Sequence, residues 1–141
     1  MTDTTRLPAD KEPTTRVVAM PSDTNASGDI FGGWIMSQVD IAGAVEAYRR
    51  AAGRVVTVAV NSFQFHHPVY VGDLVSFYAR VVRVGKTSLT VEGEVFAERD
   101  PVAPSGNGPE AARGGGTGGH VCQRVTEATL TYVAVDETRQ S

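Results

Sequence analysis

The spacing of apolar side chains changes along the chain, and the changes mark its elements. From Phe31 to Tyr48 they recur every three or four positions, at Phe31, Trp34, Ile35, Val39, Ala42, Val45 and Tyr48. That period belongs to a helix. Met36, Ile41, Gly43, Ala44 and Ala47 fill much of the opposite side, so the helix is apolar nearly all round and is expected to be buried. Pro21 to Gly33, just before it, is dense in Pro, Ser, Asp, Asn and Gly, residues that take turn and cap conformations. Gly32 and Gly33 lie where the helix begins, with Gly28 and Asp29 as candidate caps and Gly53 as the C-terminal stop.

Elsewhere the pattern is that of strands, rich in β-branched and aromatic residues. Arg16–Met20 is a short first strand, ended by Pro21. Arg54–Phe65, Leu74–Val84, Ser88–Glu98 and Val121–Val135 follow the helix, the first ended by His66-His67-Pro68. Turns fall at Val71-Gly72-Asp73 and Gly85-Lys86. One strand, one long helix and four consecutive strands argue for an α+β fold in which a five-stranded antiparallel sheet wraps around the helix. Arg99–Gly119 interrupts the last pair of strands with Gly, Pro, Ala and Ser and reads as a disordered or very mobile insert. Residues 1–14 and 137–141 read as tails, the first of them mobile, which leaves one domain over residues 15–136.

Composition narrows the function. The 141 residues carry a formal net charge of −3 with both signs spread along the chain, whereas an electrostatic nucleic-acid binder needs a basic stripe. No apolar run approaches the roughly 20 residues that span a bilayer. The first residues are polar and give no secretory signal, and the single cysteine, Cys122, excludes an internal disulfide. A soluble, cytoplasmic protein is the simplest expectation.

One carboxylate, Asp40, stands in the middle of the helix. Its neighbours at three and four positions, Met36, Ser37, Gly43 and Ala44, include no cation. Such an Asp should have a raised pKa or meet a partner from another element. At the helix start, glycines let a ligand approach free N–H groups that carry the positive end of the helix dipole, a place to hold an oxyanion. An ordinary turn explains the same pair of glycines. Asn25, taken alone, reads as a turn-forming residue.

Other chemistry is poorly supported. Val84-Gly85-Lys86-Thr87 ends like a phosphate loop, but Arg80 stands where the first glycine of that motif is needed, and a strand follows. Lys86, Thr87 and Ser88 still suit a phosphate or amide of a ligand, as well as a plain hairpin. His66 and His67 should point to opposite faces, and His120 with Cys122 makes an incomplete ligand set, so no metal site is expected. No serine stands in a nucleophile elbow, and Cys122 reads as structural.

The stretch MPSDTNASGDIFGGWIMSQVD, Met20 to Asp40, resembles the signature of the YciA-type acyl-CoA thioesterases, a branch of the hotdog-fold family. Arg54–Val81, Val84–Phe96 and Ala128–Asp136 are similar to the same family, so the resemblance covers most of Thr15–Asp136 except the insert, which the family generally replaces by a shorter connection. The resemblance implies the hotdog fold and hydrolysis of acyl-CoA thioesters to free acid and CoA, with neither metal nor organic cofactor. It puts the family's helix Asp on Asp40, its turn Asn on Asn25 and its Gly-Gly helix start on Gly32 and Gly33. Asp40 would be general base or nucleophile, the Gly33 N–H the oxyanion donor, and Asn25 would orient water or polarise the carbonyl. Arg54, Lys86 or Arg83 would meet the CoA phosphates.

Two rivals share the expectation of an acyl-CoA ligand: a hotdog hydratase or dehydratase, and a non-catalytic acyl-CoA-binding module. The first wants a His–Asp pair that the Pro21–Tyr48 stretch lacks, and the second has no need of a poised Asp40. Spacing adds one more expectation. Gly33 and Asp40 are seven residues apart, roughly 10 Å along a helix axis. Donor and base must each come within about 3 Å of one reacting centre, so the site should lie between two antiparallel helices of a homodimer. The resemblance implies that such dimers assemble as a trimer of dimers.

Overall fold

A computed structural model describes residues 5–100 and 120–136. The elements run β1 (Thr15–Val18), a short 3-10 turn (Pro21–Asp23), α1 (Gly32–Ala51), β2 (Val55–Phe65), β3 (Leu74–Val84), β4 (Ser88–Arg99) and β5 (Val121–Ala134). The strands form one sheet in the order β1-β3-β4-β5-β2, every pair antiparallel. This is the hotdog arrangement: the sheet curls around α1, whose contacts run to β2, β3, β4 and β5.

Register explains which side chains meet the helix. Phe77 pairs with Val95, Val81 with Val91, and Val91 with Leu130, so these residues share the inner face. They pack with Ile35, Val39, Ala42 and Ala47 of the helix in a single core. Gly93, at the middle of β4, lets the helix come close, since a Cβ there would lie 3.1 Å from Val39 Cγ1. On the outer face the same strands carry Arg80, Glu92 and Glu94, with a small apolar cluster of Tyr78, Phe96 and Cys122. Burial first, then the charge of Glu98, pushes the Cys122 thiol above its usual range, as suits a structural thiol.

Several boundaries differ from the sequence reading. The first strand stops at Val18, because the Ala19 N–H turns to the Asp73 carbonyl and Pro21 opens the 3-10 turn. Residues 5–11 lie against the outer face of the sheet, and Thr14 reaches the helix. Thr5 N–H bonds the Cys122 carbonyl, Leu7 covers the apolar cluster, and Thr14 Oγ1 donates to Glu46 at 2.7 Å. The helix is not buried all round: Phe31, Ile41 and Tyr48 are exposed, and the Ile41 side is an open apolar face. Neither Gly28 nor Asp29 caps it, since Phe31 holds the N-cap position without a side-chain bond.

The helix ends at Ala52, not Gly53. Ala52 takes the left-handed conformation, φ 56° and ψ 39°, and its N–H returns to the Tyr48 carbonyl. A Cβ in that region is strained, so Ala52→Gly is expected to stabilise the fold by about 0.5–1 kcal/mol. Thermal unfolding checks this, and a lowered Tm would contradict it.

Arg99 corrects the start of the expected insert. It is the last residue of β4 and pairs in register with Val121, while residues 101–119 lie outside the described residues, as do 1–4 and 137–141. Its guanidinium donates from Nε and Nη2 to the two carboxylate oxygens of Asp73, each at 2.8 Å. Among the described residues no helix is long and apolar enough to cross a membrane.

Candidate active site

Asp40 sits on the sheet-facing side of the helix, half-buried, and its partners come from two strands distant in sequence. Thr57 Oγ1 of β2 donates to its Oδ1 at 2.6 Å. The Tyr132 hydroxyl of β5 lies 3.0 Å from the same Oδ1 and 2.8 Å from the Asp40 backbone carbonyl. Thr57 and Tyr132 are register partners across β2 and β5, which puts both hydroxyls on the inner face at one level. The ladder slips just beyond, between Thr57 and Ala59, and such a bulge re-aims the strand beside the site. The sequence reading offered a raised pKa or a partner from another element; the partners are these two hydroxyls, and no ion pair reaches Asp40 among the described residues.

Tyr132 fits beneath the helix because position 43 is glycine. A Cβ there would overlap the Tyr132 hydroxyl and lie 3.0 Å from its ring carbon Cζ. Burial, then the nearby Asp40 charge and their hydrogen bond, push the phenol far above its usual range, so Tyr132 remains a protonated donor.

The helix N-terminus supplies the second part. Trp34 and Ile35 N–H groups turn back to the Phe31 carbonyl. The Gly32 and Gly33 N–H groups have no acceptor among the described residues, and the space beside Gly33 is open. They are the first-turn donors, at the positive end of the dipole. Asn25 stands in the preceding loop and forms the turn expected of it alone: its Oδ1 accepts from Ser27 N–H at 2.8 Å and Asp29 N–H at 3.1 Å. That leaves its amide NH2 as a donor. Asn25, Gly32, Ile35 and Phe65 line a groove of about 370 Å³ at this end of the helix.

The proposed CoA contacts gather at the other end. Gly32 faces Phe65, the last residue of β2, whereas Arg54 precedes its first. The end of β5 ties Arg54 to the β3–β4 hairpin: Val135 N–H bonds the Arg54 carbonyl and Ala134 N–H bonds the Thr87 carbonyl. Lys86 and Thr87 are exposed there, Ser88 half-buried, and Gly85 N–H closes the turn on the Ser88 carbonyl. One chain therefore holds Asp40 mid-helix, the free N–H groups at one end, and Arg54 with Lys86 at the other. The candidate metal ligands do not converge: His120 bonds Glu98, while His66 lies near Glu127.

Against this geometry, the sequence profile of the Thioesterase superfamily matches residues 27–103. The chain belongs to that superfamily. It is 48% identical over 121 residues to the acyl-CoA thioester hydrolase YciA of Escherichia coli, covering 86% of this chain and 81% of that one. Among solved structures, a hexameric hotdog fold thioesterase of Campylobacter jejuni superposes with a TM-score of 0.75 at 45% identity, covering 89% of this chain and 84% of that one. A hexameric thioesterase from Yersinia pestis gives 0.73 at 46%, covering 93% and 92%.

Sequence reasoning missed Thr57 and Tyr132. Each falls within a strand recognised only by its β-branched and aromatic residues. The available signal was a hydroxyl on the inner face of each strand opposite a helix glycine, but reading it requires the register.

Proposed function

We propose that this member of the thioesterase superfamily hydrolyses acyl-CoA thioesters, with Asp40 as its reacting carboxylate and with each working site shared between two copies of the chain. The relatives named above support the activity. The observation that carries the site is Asp40, held by two neutral hydroxyls, on a helix whose Gly32 and Gly33 N–H groups lack acceptors among the described residues.

In the general-base form of the reaction, Asp40 takes a proton from water as the water oxygen attacks the thioester carbonyl. The carbonyl oxygen becomes an oxyanion received by the Gly33 N–H, with Asn25 orienting the water or polarising the carbonyl. Collapse expels the CoA thiolate, which recovers the proton from Asp40. In the nucleophilic form the carboxylate attacks first, expels the thiolate and leaves a mixed anhydride for water to cleave. Arg54 and Lys86, with Thr87 and Ser88, receive the polar end of CoA.

Two features favour a second copy. Among the described residues β2 is an eleven-residue edge strand that pairs only with β5, and Val56, Val58 and Val60 along it are exposed. A long apolar edge of this kind is ordinarily covered. The open helix face, with Ile41, Ala44, Val45 and Tyr48, calls for the same cover. A two-fold pairing through β2 and the helix meets both needs, sets one chain's Asp40 near the other's Gly33 and Asn25, and leaves room for three such dimers in a hexamer.

Complementation tests the shared site. Asp40→Asn and Asn25→Ala chains, each inactive alone, are dissociated, mixed and reassociated. A mixed dimer holds one wild-type pair, so its activity is expected to return toward half. Verified subunit exchange with no return of activity would mean that each chain works alone.

A further inference from the structure

Both hydroxyls at Asp40 reach the same carboxylate oxygen. Thr57 Oγ1 and Tyr132 OH meet Oδ1 at 2.6 and 3.0 Å, while Oδ2 has no partner among the described residues. The Tyr132 hydroxyl also lies 2.8 Å from the backbone carbonyl of Asp40, so its one proton is shared between the two oxygens of that residue. One buried phenol thus touches the side chain and the main chain of a single residue, and a rotation of the Asp40 side chain breaks that arrangement. The phenol itself is held: Tyr132 is fully buried, packed in the core, and paired in register with Thr57 and Leu89. Its hydroxyl occupies space that exists only because residue 43 lacks a Cβ. Thr57, by contrast, is on the edge strand and reaches Oδ1 alone.

We propose that Tyr132 is a positioning residue for hydrolysis: it ties Asp40 Oδ1 to the sheet, so that Oδ2 is the oxygen that meets the water or the thioester carbonyl. The proposal rests on Asp40 being the reacting carboxylate. Tyr132 touches neither substrate nor reacting atoms and acts through Asp40 alone. Its raised pKa supports the role, since a phenol that stays protonated remains a donor wherever the enzyme works.

The test compares Tyr132→Phe, Asp40→Asn and the double variant by thiol release from acyl-CoA, with folding and oligomeric state followed by circular dichroism and gel filtration. Tyr132→Phe keeps the ring and removes the tether. Its kcat is expected to fall roughly 10- to 100-fold, the loss of one hydrogen bond to a charged group. KM should change less than about threefold, because substrate binding does not use the phenol. In the Asp40→Asn background the same substitution should remove no further activity, since its effect passes through the carboxylate. A structural role would lower activity in both backgrounds alike. If Tyr132→Phe disturbs the fold, Gly43→Ala displaces the hydroxyl while keeping it, and the same selective loss of kcat is expected. Full activity in Asp40→Asn overturns the reading of Asp40 itself. An inactive Asp40→Asn beside a wild-type kcat in Tyr132→Phe, or an equal further loss in the double variant, overturns the role of Tyr132 only.

Discussion

Asp40→Asn is expected to lower kcat by about 10²-fold or more while leaving KM and thermal stability nearly unchanged. The asparagine keeps a carbonyl oxygen where Oδ1 stands, so Thr57 and Tyr132 still have an acceptor and the helix still seats over Tyr132. What disappears is the anion at the second oxygen, which neither takes a proton nor attacks once it is an amide. The steady-state rate of thiol release and a melting curve on the same preparation check both halves. Near-normal turnover in a folded variant would remove Asp40 from the chemistry. A variant that fails to fold would show that the carboxylate is needed for packing, which the two neutral partners do not suggest. Label found in Asp40 after a single turnover in ¹⁸O water then establishes the nucleophilic form in the wild-type enzyme, because it enters only when an anhydride forms and water attacks its aspartyl carbonyl.

Asp73→Ala should have the largest effect on stability, at a position away from Asp40. Asp73 is 1% exposed, and its two oxygens accept the bidentate guanidinium of Arg99. Oδ2 also accepts the Tyr70 N–H at 3.0 Å, and the Asp73 carbonyl accepts the Ala19 N–H. The Arg99 guanidinium further lies 4.9 Å from the centre of the Tyr70 ring. Its hydrogen bond to Asp73 holds the Arg99 pKa above its usual value, against the opposing effect of burial. This one residue thus joins the exit of β1, the turn before β3 and the end of β4. Removing a buried partner strands the other charge, which costs about 3–5 kcal/mol. For a chain of this size that corresponds to a Tm lower by roughly 10–20 °C. A companion variant isolates the cause: Asp73→Ala with Arg99→Met removes both charges and should recover part of the loss. If the double variant is less stable than Asp73→Ala alone, Arg99 contributes through packing and not through the pair.

The parts of the candidate site that the sequence offers lie within one stretch. Asn25, Gly32, Gly33 and Asp40 fall within a single loop and helix, where periodicity and turn chemistry fix their relative placement. Thr57 and Tyr132 are 17 and 92 residues from Asp40, and they meet it only through the pairing of β2 with β5. Alternation says that every second residue of a strand faces inward, but not which rung lies beneath a given helix turn. The helix itself was legible in period and length, yet its exposure was not. An apolar face has the composition of a core whether or not its own chain covers it, so Ile41 and Tyr48 read as buried when they are exposed. Local composition misled at the edges. Gly53 was the natural stop, but Ala52 takes the strained conformation. Arg99 opens a Gly- and Pro-rich stretch, yet its charge belongs to an aspartate 26 positions earlier.

That pairing has a practical use for anyone who builds on this scaffold. Arg99 and Val121 face each other across one rung of the sheet, so their Cα atoms lie about 5 Å apart. The intervening chain leaves and re-enters at almost the same point. A guest domain whose own termini are close could be spliced between these anchors without asking either strand to shift its register. The Asp73 clamp on Arg99 would take up strain at the junction, and a reporter inserted there would travel with the enzyme.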